Sequence, residues 1–492
     1  MASLSLFRRQ RVSAIIAVLL TVAVGLVLGL SLPGHPKLGL ELAAAALLVA
    51  VAIKHVEVAY AALFVAVVLA GAHVNDSVWT YLGCLTIGLV AVGEFVRQRR
   101  PVIPIVIVLY CAWFVIAATH NLPPTTGDRR SLVNYLVPPV VALATAWVGR
   151  DQPVRRRIVI FLLAVSVISA ADVYVQFFIQ GRRNDAVTGT FGGSSANILA
   201  TAFMVPATVC FAIGVERVWR PKLMFLLAVG LEFTGVLSSG RAIFAFVPLA
   251  FGGVLISYLV AGGSLERRRA LVLLPGTIVL AAATVLAYNQ VTPGQLGPLS
   301  SASKIQSYLS QRNPGGALPG RLVQLRLASH EAATGGPLTF LTGRGVGATR
   351  YETARADVTT TAASVSSTIT ASSSDDLGPF LSPEQRTGGI WIAQVLTETG
   401  WIGVATLAVL LGYLVLLGTR TQSRLPPGSL DRALIVALPG LGLVALAGSF
   451  YSAMFFEPEV NALFWPLVGI CLAIAYSARK GTEQSNGREA AR

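Results

Sequence analysis

Charge is what this chain has least of. Only 12% of its 492 residues are Asp, Glu, Lys or Arg, about half of what soluble domains carry, and that shortfall excludes an ordinary soluble globular domain. Cysteine is also scarce. Cys84, Cys111, Cys210 and Cys471 lie far apart, each inside an apolar run, with no metal-ligand spacing and no near partner, so they read as small buried hydrophobes. The five histidines are scattered and make no metal motif. Short Asp-rich segments are missing too, and Asp375-Asp376 sits in a polar linker. No metal and no cofactor is expected. What the chain does have is apolar surface: 54% hydrophobic residues and a mean hydropathy of +0.68. The net charge of +15 would fit a nucleic-acid partner if it formed a face. Its cations instead come in clusters of two to four between apolar runs, the pattern of loop ends in a membrane protein, and no nucleic-acid partner is expected.

Runs long enough to cross a bilayer fall near 13–32, 38–53, 57–74, 78–95, 102–119, 132–149, 158–178, 195–215, 222–238, 241–262, 270–288, 389–418, 433–450 and 460–477, which predicts an all-α polytopic membrane bundle of about fourteen helices. The first run follows Arg8, Arg9 and Arg11 but is longer than a signal-peptide core, so it reads as an uncleaved helix. Placing the N-terminus inside and alternating puts RRQR, Lys54, RQRR, RDQPVRRR, ERVWRPK, ERRR, the 420–432 loop and the C-terminal tail on the cytoplasmic side. Most of the 38 Lys and Arg residues then lie there, as the positive-inside rule requires. Both termini come out cytoplasmic, and one long loop, 289–388, comes out on the opposite face. The expected organisation is an N-terminal bundle (1–184), a core containing that loop (185–410), C-terminal helices (411–478) and a cytoplasmic tail (479–492).

In this topology SSGRAIFAF (238–246) turns at the outer face, where basic residues are disfavoured. An arginine inside a membrane helix costs roughly 2.5–3.5 kcal/mol on insertion scales, so Arg241 calls for a ligand rather than an anchoring role. Within the long loop, GRLVQLRLASHEAATGGPLTF places Leu322, Leu325, Ala328 and Ala332 at helical spacing with Arg321, Gln324, Arg326 and Glu331 between them. This is an amphipathic helix, lying on the membrane or packed over the bundle. GRGVG (343–347) follows, and is either a turn or a nest of backbone N–H groups able to hold phosphate oxygens. DVTTTAASVSSTITASSSDD (357–376) is low-complexity linker. At the same outer face, TGTFGGSSANILATAF (188–203) enters a helix with Asn197 near its start. Three carboxylates fall within spans: Asp172, Glu232 and Glu398. Each is either a functional group or the partner of an arginine.

Four of these pieces, in this order, resemble the O-antigen ligase and polymerase superfamily of membrane glycosyltransferases. GTFGGSSAN (189–197) is similar to the family's GTFGNPN-type stretch, and SSGRAIFAF to its Ser-Arg-Gly-Ala helix start, with Gly and Arg exchanged. GRLVQL…GGPLTFLTGRGVG (320–347) is similar to its Arg-x-x-x-x-Trp…Pro-Leu-x-Gly-x-Gly-x-Gly loop, with Leu325 or Arg326 in the usual place of Trp. QVLTETGWIG (394–403) resembles its Leu-x-x-x-x-Glu-x-Gly helix. The resemblance covers about 185–410. Ligases of this family carry a histidine about nine residues before the glutamate, where this chain has Gly389, so ligase and polymerase both stay open.

The resemblance implies a bacterial plasma-membrane enzyme of cell-surface polysaccharide assembly. The donor would be a glycan on a polyprenyl pyrophosphate, the acceptor a glycan or glycolipid hydroxyl, and the surroundings membrane lipid. Arginines would stabilise the leaving pyrophosphate without a metal. The implied catalytic residues are Arg241, Arg321 and Glu398, the last as base or as a carboxylate orienting an arginine. Substrate-binding positions would be Asn197, Arg326, His330, Arg344, Gly345 and Gly347. The competing class is a lipid-linked glycan flippase or secondary transporter, which predicts internal repeats and broken helix pairs that the sequence does not display. A transferase using polyprenyl-monophosphate sugars would need an acidic pair early in an outer loop, and PGHPK has none.

Overall fold

The computed structural model describes residues 56–69, 103–119, 126–183, 186–191, 196–292, 301–310, 321–348, 390–451, 455 and 457–490. Of the expected spans, 13–32, 38–53 and 78–95 lie outside the described residues, as do the linker 357–376 and Gly389. Among the described residues the fold is helical and contains no strand. The chain is a multi-pass helical membrane protein: among the described residues, seven helices are long and apolar enough to cross a bilayer.

In chain order the helices are α1 (Val56–Phe64, ending in a π-helical turn Val65–Leu69), α2 (Ile105–Ala118), α3 (Thr126–Val148) and α4 (Gln152–Tyr174, continued by a π-helical turn Val175–Ile179). Then come α5 (Ala196–Glu216), α6 (Pro221–Leu237), α7 (Ile243–Ala261) and α8 (Ser264–Val291). Among the described residues between α8 and the next long helix are three short ones: α9 (Ala302–Ser310), α10 (Arg321–Thr334) and α11 (Gly336–Thr342). The last three are α12 (Trp391–Thr421), α13 (Leu430–Tyr451) and α14 (Pro458–Ala490).

Lipid tails are as apolar as leucine, so helices in a bilayer associate through close backbone approach. Glycine supplies it here. Gly440 of α13 lies against Gly253 and the Ala250 carbonyl of α7, so closely that a Cβ at either glycine would overlap backbone. Gly418 of α12 takes the ring of Pro439, and Gly442 takes Val415 and the Leu411 carbonyl. α5, wholly buried, and α13 form the centre, whereas α8 is largely exposed along its length and presents Leu271, Val272, Ile278, Val279 and Leu286 outward.

Ion pairs gather at one end of the bundle. Arg155 of α4 forks onto Asp431 and also donates to the carbonyls of Gly149 (3.0 Å) and Arg150 (3.1 Å). Arg432, only 4% exposed, bridges Glu216 of α5 and Glu266 of α8. Glu216 further accepts from Tyr258 Oη (2.6 Å) and the Gly428 N–H (2.7 Å). The sequence placed Arg155 and Arg432 among solvated loop-end cations; both are instead the buried hubs of a network tying α4, α5, α7, α8 and α13. Their partners come from distant helices, which local sequence does not reveal.

The structure also gives partners to two intramembrane carboxylates. Glu232 of α6 is buried and accepts from Thr284 Oγ1 of α8 (2.8 Å). Asp172 accepts from Gln176 Nε2 (2.9 Å). Among the described residues neither is paired with an arginine, so the functional reading of each stays open.

Candidate functional site

The site is assembled at the end of the bundle opposite Arg432. Its centre is an interlock between GRGVG and the glutamate helix. The sequence reads 389–418 as one span, but α12 is broken at Gly400 (φ 67°, ψ −168°), a conformation open essentially to glycine alone. Gly343, at the C-cap of α11, has nearly the same dihedrals (φ 73°, ψ −166°). The two glycines meet: a Cβ on Gly343 would overlap the Glu398 carbonyl, and one on Gly400 the Leu341 carbonyl. The break frees carbonyls in α12 that the helix would otherwise pair, and the loop takes them up. The Arg344 N–H donates to Thr397 O (2.9 Å) and the Gly345 N–H to Glu398 O (3.0 Å). Val346 is buried between Gly345 (φ 98°) and Gly347 (φ 94°).

This settles how the glycines are used. The Gly345 N–H expected to line a phosphate nest is already bonded to Glu398, so that amide is not a donor to substrate. Gly343 and Gly400 make a backbone latch between two segments far apart in the chain.

Beyond the break, the half-helix Trp391–Thr399 is buried on all sides, and Glu398 is fully buried within it. The remaining stretch, Trp401–Thr421, is about 31 Å long at 1.5 Å per residue, the thickness of a bilayer's hydrocarbon layer. Glu398 sits two residues before the break, on the buried half-helix side of Gly400. Trp113 of α2 donates to Thr399 O (3.3 Å), fixing the break from the other side.

α10 lies over this half-helix. Ala328 and Ala332 pack against Ile390, Ile392, Ala393 and Leu396, with Leu325 at the edge. Of the two arrangements open to an amphipathic helix, this is the packed one. Gln324 Oε1 accepts the Ile390 N–H (2.9 Å), one of the donors that the start of α12 leaves unpaired. Arg321 opens α10, with its guanidinium 4.7 Å from the centre of the Tyr451 ring and its Nε donating to Tyr451 O (3.3 Å). Its two Nη groups have no partner among the described residues. Arg326 is exposed on α10. His330 is half-buried, and its Nδ1 has no hydrogen-bond partner among the described residues.

Arg241 stands at the same end. α7 and α13 run antiparallel and cross at Gly253 and Gly440. Counting along the chain from that crossing puts Arg241 about 18 Å and Tyr451 about 16 Å toward the site, so Arg241 and the Arg321–Tyr451 pair share one end of adjacent helices. The turn before Arg241 closes α6 with a Schellman motif: the Ser239 N–H donates to Val236 O (3.0 Å) and the Gly240 N–H to Gly235 O (3.0 Å). The left-handed residue is Ser239 (φ 65°), not the neighbouring glycine, and Tyr288 Oη of α8 holds its carbonyl (3.0 Å).

Asn197 lies in the first turn of α5, and its side chain is outside the described residues. The turn leading toward it is well defined. Gln176 Oε1 accepts the N–H groups of Thr188 and Gly189 (both 2.9 Å), its Nε2 donates to Gly189 O (2.9 Å), and Thr190 Oγ1 bonds Val68 O. Gln176 was missed by sequence reasoning, as were Tyr451, Trp113 and Gln324. A buried glutamine in an apolar run was a visible signal; the other three act through a backbone carbonyl, a ring face or an amide, which no residue pattern marks.

Below the break, a cavity of about 340 Å³ between α2 and α12 is lined by Val106, Leu109, Trp401, Ile402, Ala405, Thr406 and Val409. It is apolar and begins one residue after Gly400. The site thus joins a buried carboxylate, an oriented guanidinium and an apolar furrow beside the break. No protein-family model matches the chain, and no curated protein sequence matches it.

Proposed function

We propose that this protein is a glycan transferase of the O-antigen ligase and polymerase type. In this reading it is a bacterial plasma-membrane protein of about fourteen spans, with both termini cytoplasmic and the Arg241 end facing outward. The observation that carries the proposal is the latch between Gly343–Gly347 and Gly400. It brings two of the resembling motifs into direct backbone contact beside Glu398, and the start of one of them, through Arg321, lies on the end of α13.

The donor is a glycan linked to a polyprenyl pyrophosphate. Its lipid chain lies along the furrow of Val106, Leu109, Trp401 and Val409, with its pyrophosphate at the boundary. An acceptor hydroxyl attacks the anomeric carbon, a new glycosidic C–O bond forms and the bond to the phosphate oxygen breaks. The hydroxyl proton passes to Glu398, and the negative charge left on the pyrophosphate is met by Arg321 and Arg241. Planar guanidinium groups suit this because they bind phosphate oxygens in pairs, and Arg344, Arg326 and His330 line the approach.

Removing a preorganised donor to developing charge costs about 100-fold or more in rate. Arg241→Ala and Arg321→Ala are expected to insert and accumulate normally yet lose transfer by that factor. The measurement is the pool of lipid-linked glycan in a deletion strain complemented by each variant. Accumulated single repeat units identify a polymerase, and accumulated long chains a ligase. Full complementation by either alanine variant overturns the assignment, and a pool held on the cytoplasmic leaflet replaces it with a flippase.

A further inference from the structure

At the Arg432 end, a cavity of about 540 Å³ opens between the end of α5, the start of α6 and the start of α8. Four cations line it: Arg217, Lys222, Arg268 and Arg269. None of them has an ion-pair partner among the described residues, and the reason is local. The carboxylates beside them in sequence, Glu216 and Glu266, turn inward and are held by Arg432. Four like charges therefore share one recess, and no acidic residue among the described residues lines it to offset them.

The other wall is apolar. Phe225, Val272 and Leu273 line the same cavity, and Leu265 and Val272 are exposed on α8, the least buried of the membrane-length helices. The recess is thus basic at its mouth and hydrocarbon-like along its side, and it lies where a spanning helix leaves the bilayer. A soluble phosphate compound would match only the first half of that surface. A basic pocket between membrane helices that continues into an apolar side wall fits a lipid headgroup and its chain.

We propose that this recess binds one anionic glycerophospholipid, its phosphate against the four cations and an acyl chain along Phe225 and Val272. The site stands apart from the candidate transfer site, at the opposite end of the bundle, and does not depend on the function proposed there. Bound lipid would fill the gap between α6 and α8, which deeper in the bundle are joined by the Glu232–Thr284 hydrogen bond.

The test is native mass spectrometry of the full-length protein equilibrated in mixed micelles of phosphatidylglycerol and phosphatidylcholine in equal parts. The wild type should retain one phosphatidylglycerol with about a tenfold preference, and R268Q/R269Q should lose that preference. R156Q/R220Q removes the same charge at the same end from exposed positions outside the recess, and should retain it within about twofold. R217Q/K222Q, on the facing wall, provides the second variant should the first fail to fold. An equal loss in R156Q/R220Q would show diffuse charge rather than a site. Displacement by excess inorganic phosphate would show a free-anion site, and either result overturns the proposal, as does absence of any preference in the wild type.

Discussion

Arg321 shows how a cation can be fixed without a carboxylate. Its Nε donates to a backbone carbonyl and its Cζ sits 4.7 Å over the Tyr451 ring, so the two Nη groups are held without being neutralised. An ammonium group cannot reproduce this, since it has neither the plane nor the fixed fork of donors. Arg321→Lys should therefore lose about tenfold or more in transfer while keeping its charge. Tyr451→Phe should be nearly silent, because it keeps both the ring face and the carbonyl; Tyr451→Ala should cost several-fold, in line with about 1 kcal/mol for an exposed cation–π contact. Rates of glycan transfer in membranes carrying each variant check all three. Full activity in Arg321→Lys would make the residue a diffuse charge only. At this scale the sequence was informative about which residues are present and silent about what holds them: Arg321 stood out as a cation at a helix start, but Tyr451 did not.

At the level of elements, the break in α12 carries the design. Helix propensity and hydropathy run smoothly through 389–418, and only the glycine in TETGW marks the place where the helix stops. The break is stabilised by a loop from the other side of the 349–389 segment, through the Arg344 and Gly345 amides. Gly400→Ala must adopt a conformation that costs about 1–3 kcal/mol for any other residue, and its Cβ would also overlap the Leu341 carbonyl. The expected outcome is release of α10 and α11 from α12. Limited proteolysis within 321–348 should speed markedly, transfer should be lost, and insertion of the bundle should persist. Unchanged protection of that segment would show that the latch is dispensable. The amphipathic pattern of α10 was legible from the spacing of its small residues. The surface it covers was not, because a half-helix buried on all sides does not exist in a reading that treats α12 as one span.

The whole molecule is polarised. One end holds the latch and the arginines of the candidate site; the other holds the buried Arg155–Asp431 and Arg432–Glu216–Glu266 network. Taking away one member of a buried network leaves an uncompensated charge and costs about 3–5 kcal/mol. Arg432→Ala should accordingly lower the thermal stability of the detergent-purified protein sharply, while the exposed Arg420→Ala should leave it within about 0.5 kcal/mol. Equal melting temperatures for the two would contradict the network's structural role. Orientation is tested separately, with single cysteines placed at exposed positions in a cysteine-free background. Arg326→Cys should react with a membrane-impermeant maleimide in intact cells, and Arg268→Cys only after the membrane is opened. The reverse pattern would invert the topology and move the candidate site to the cytoplasm.

Hydropathy by itself determined that this chain belongs in a bilayer, because twenty-residue apolar runs have few other stable solutions in water. It also located the segments that carry polar chemistry, since a charged or glycine-rich stretch stands out against such a background. It did not determine which of those segments meet. Gly343 touches Gly400, Gln324 caps α12, and Arg432 turns inward from the start of α13 to bridge two helices, all through backbone groups or long-range contacts that have no period in the sequence. Only tertiary structure decides such contacts, because each depends on two surfaces arriving at the same place, and a one-dimensional pattern describes each surface alone.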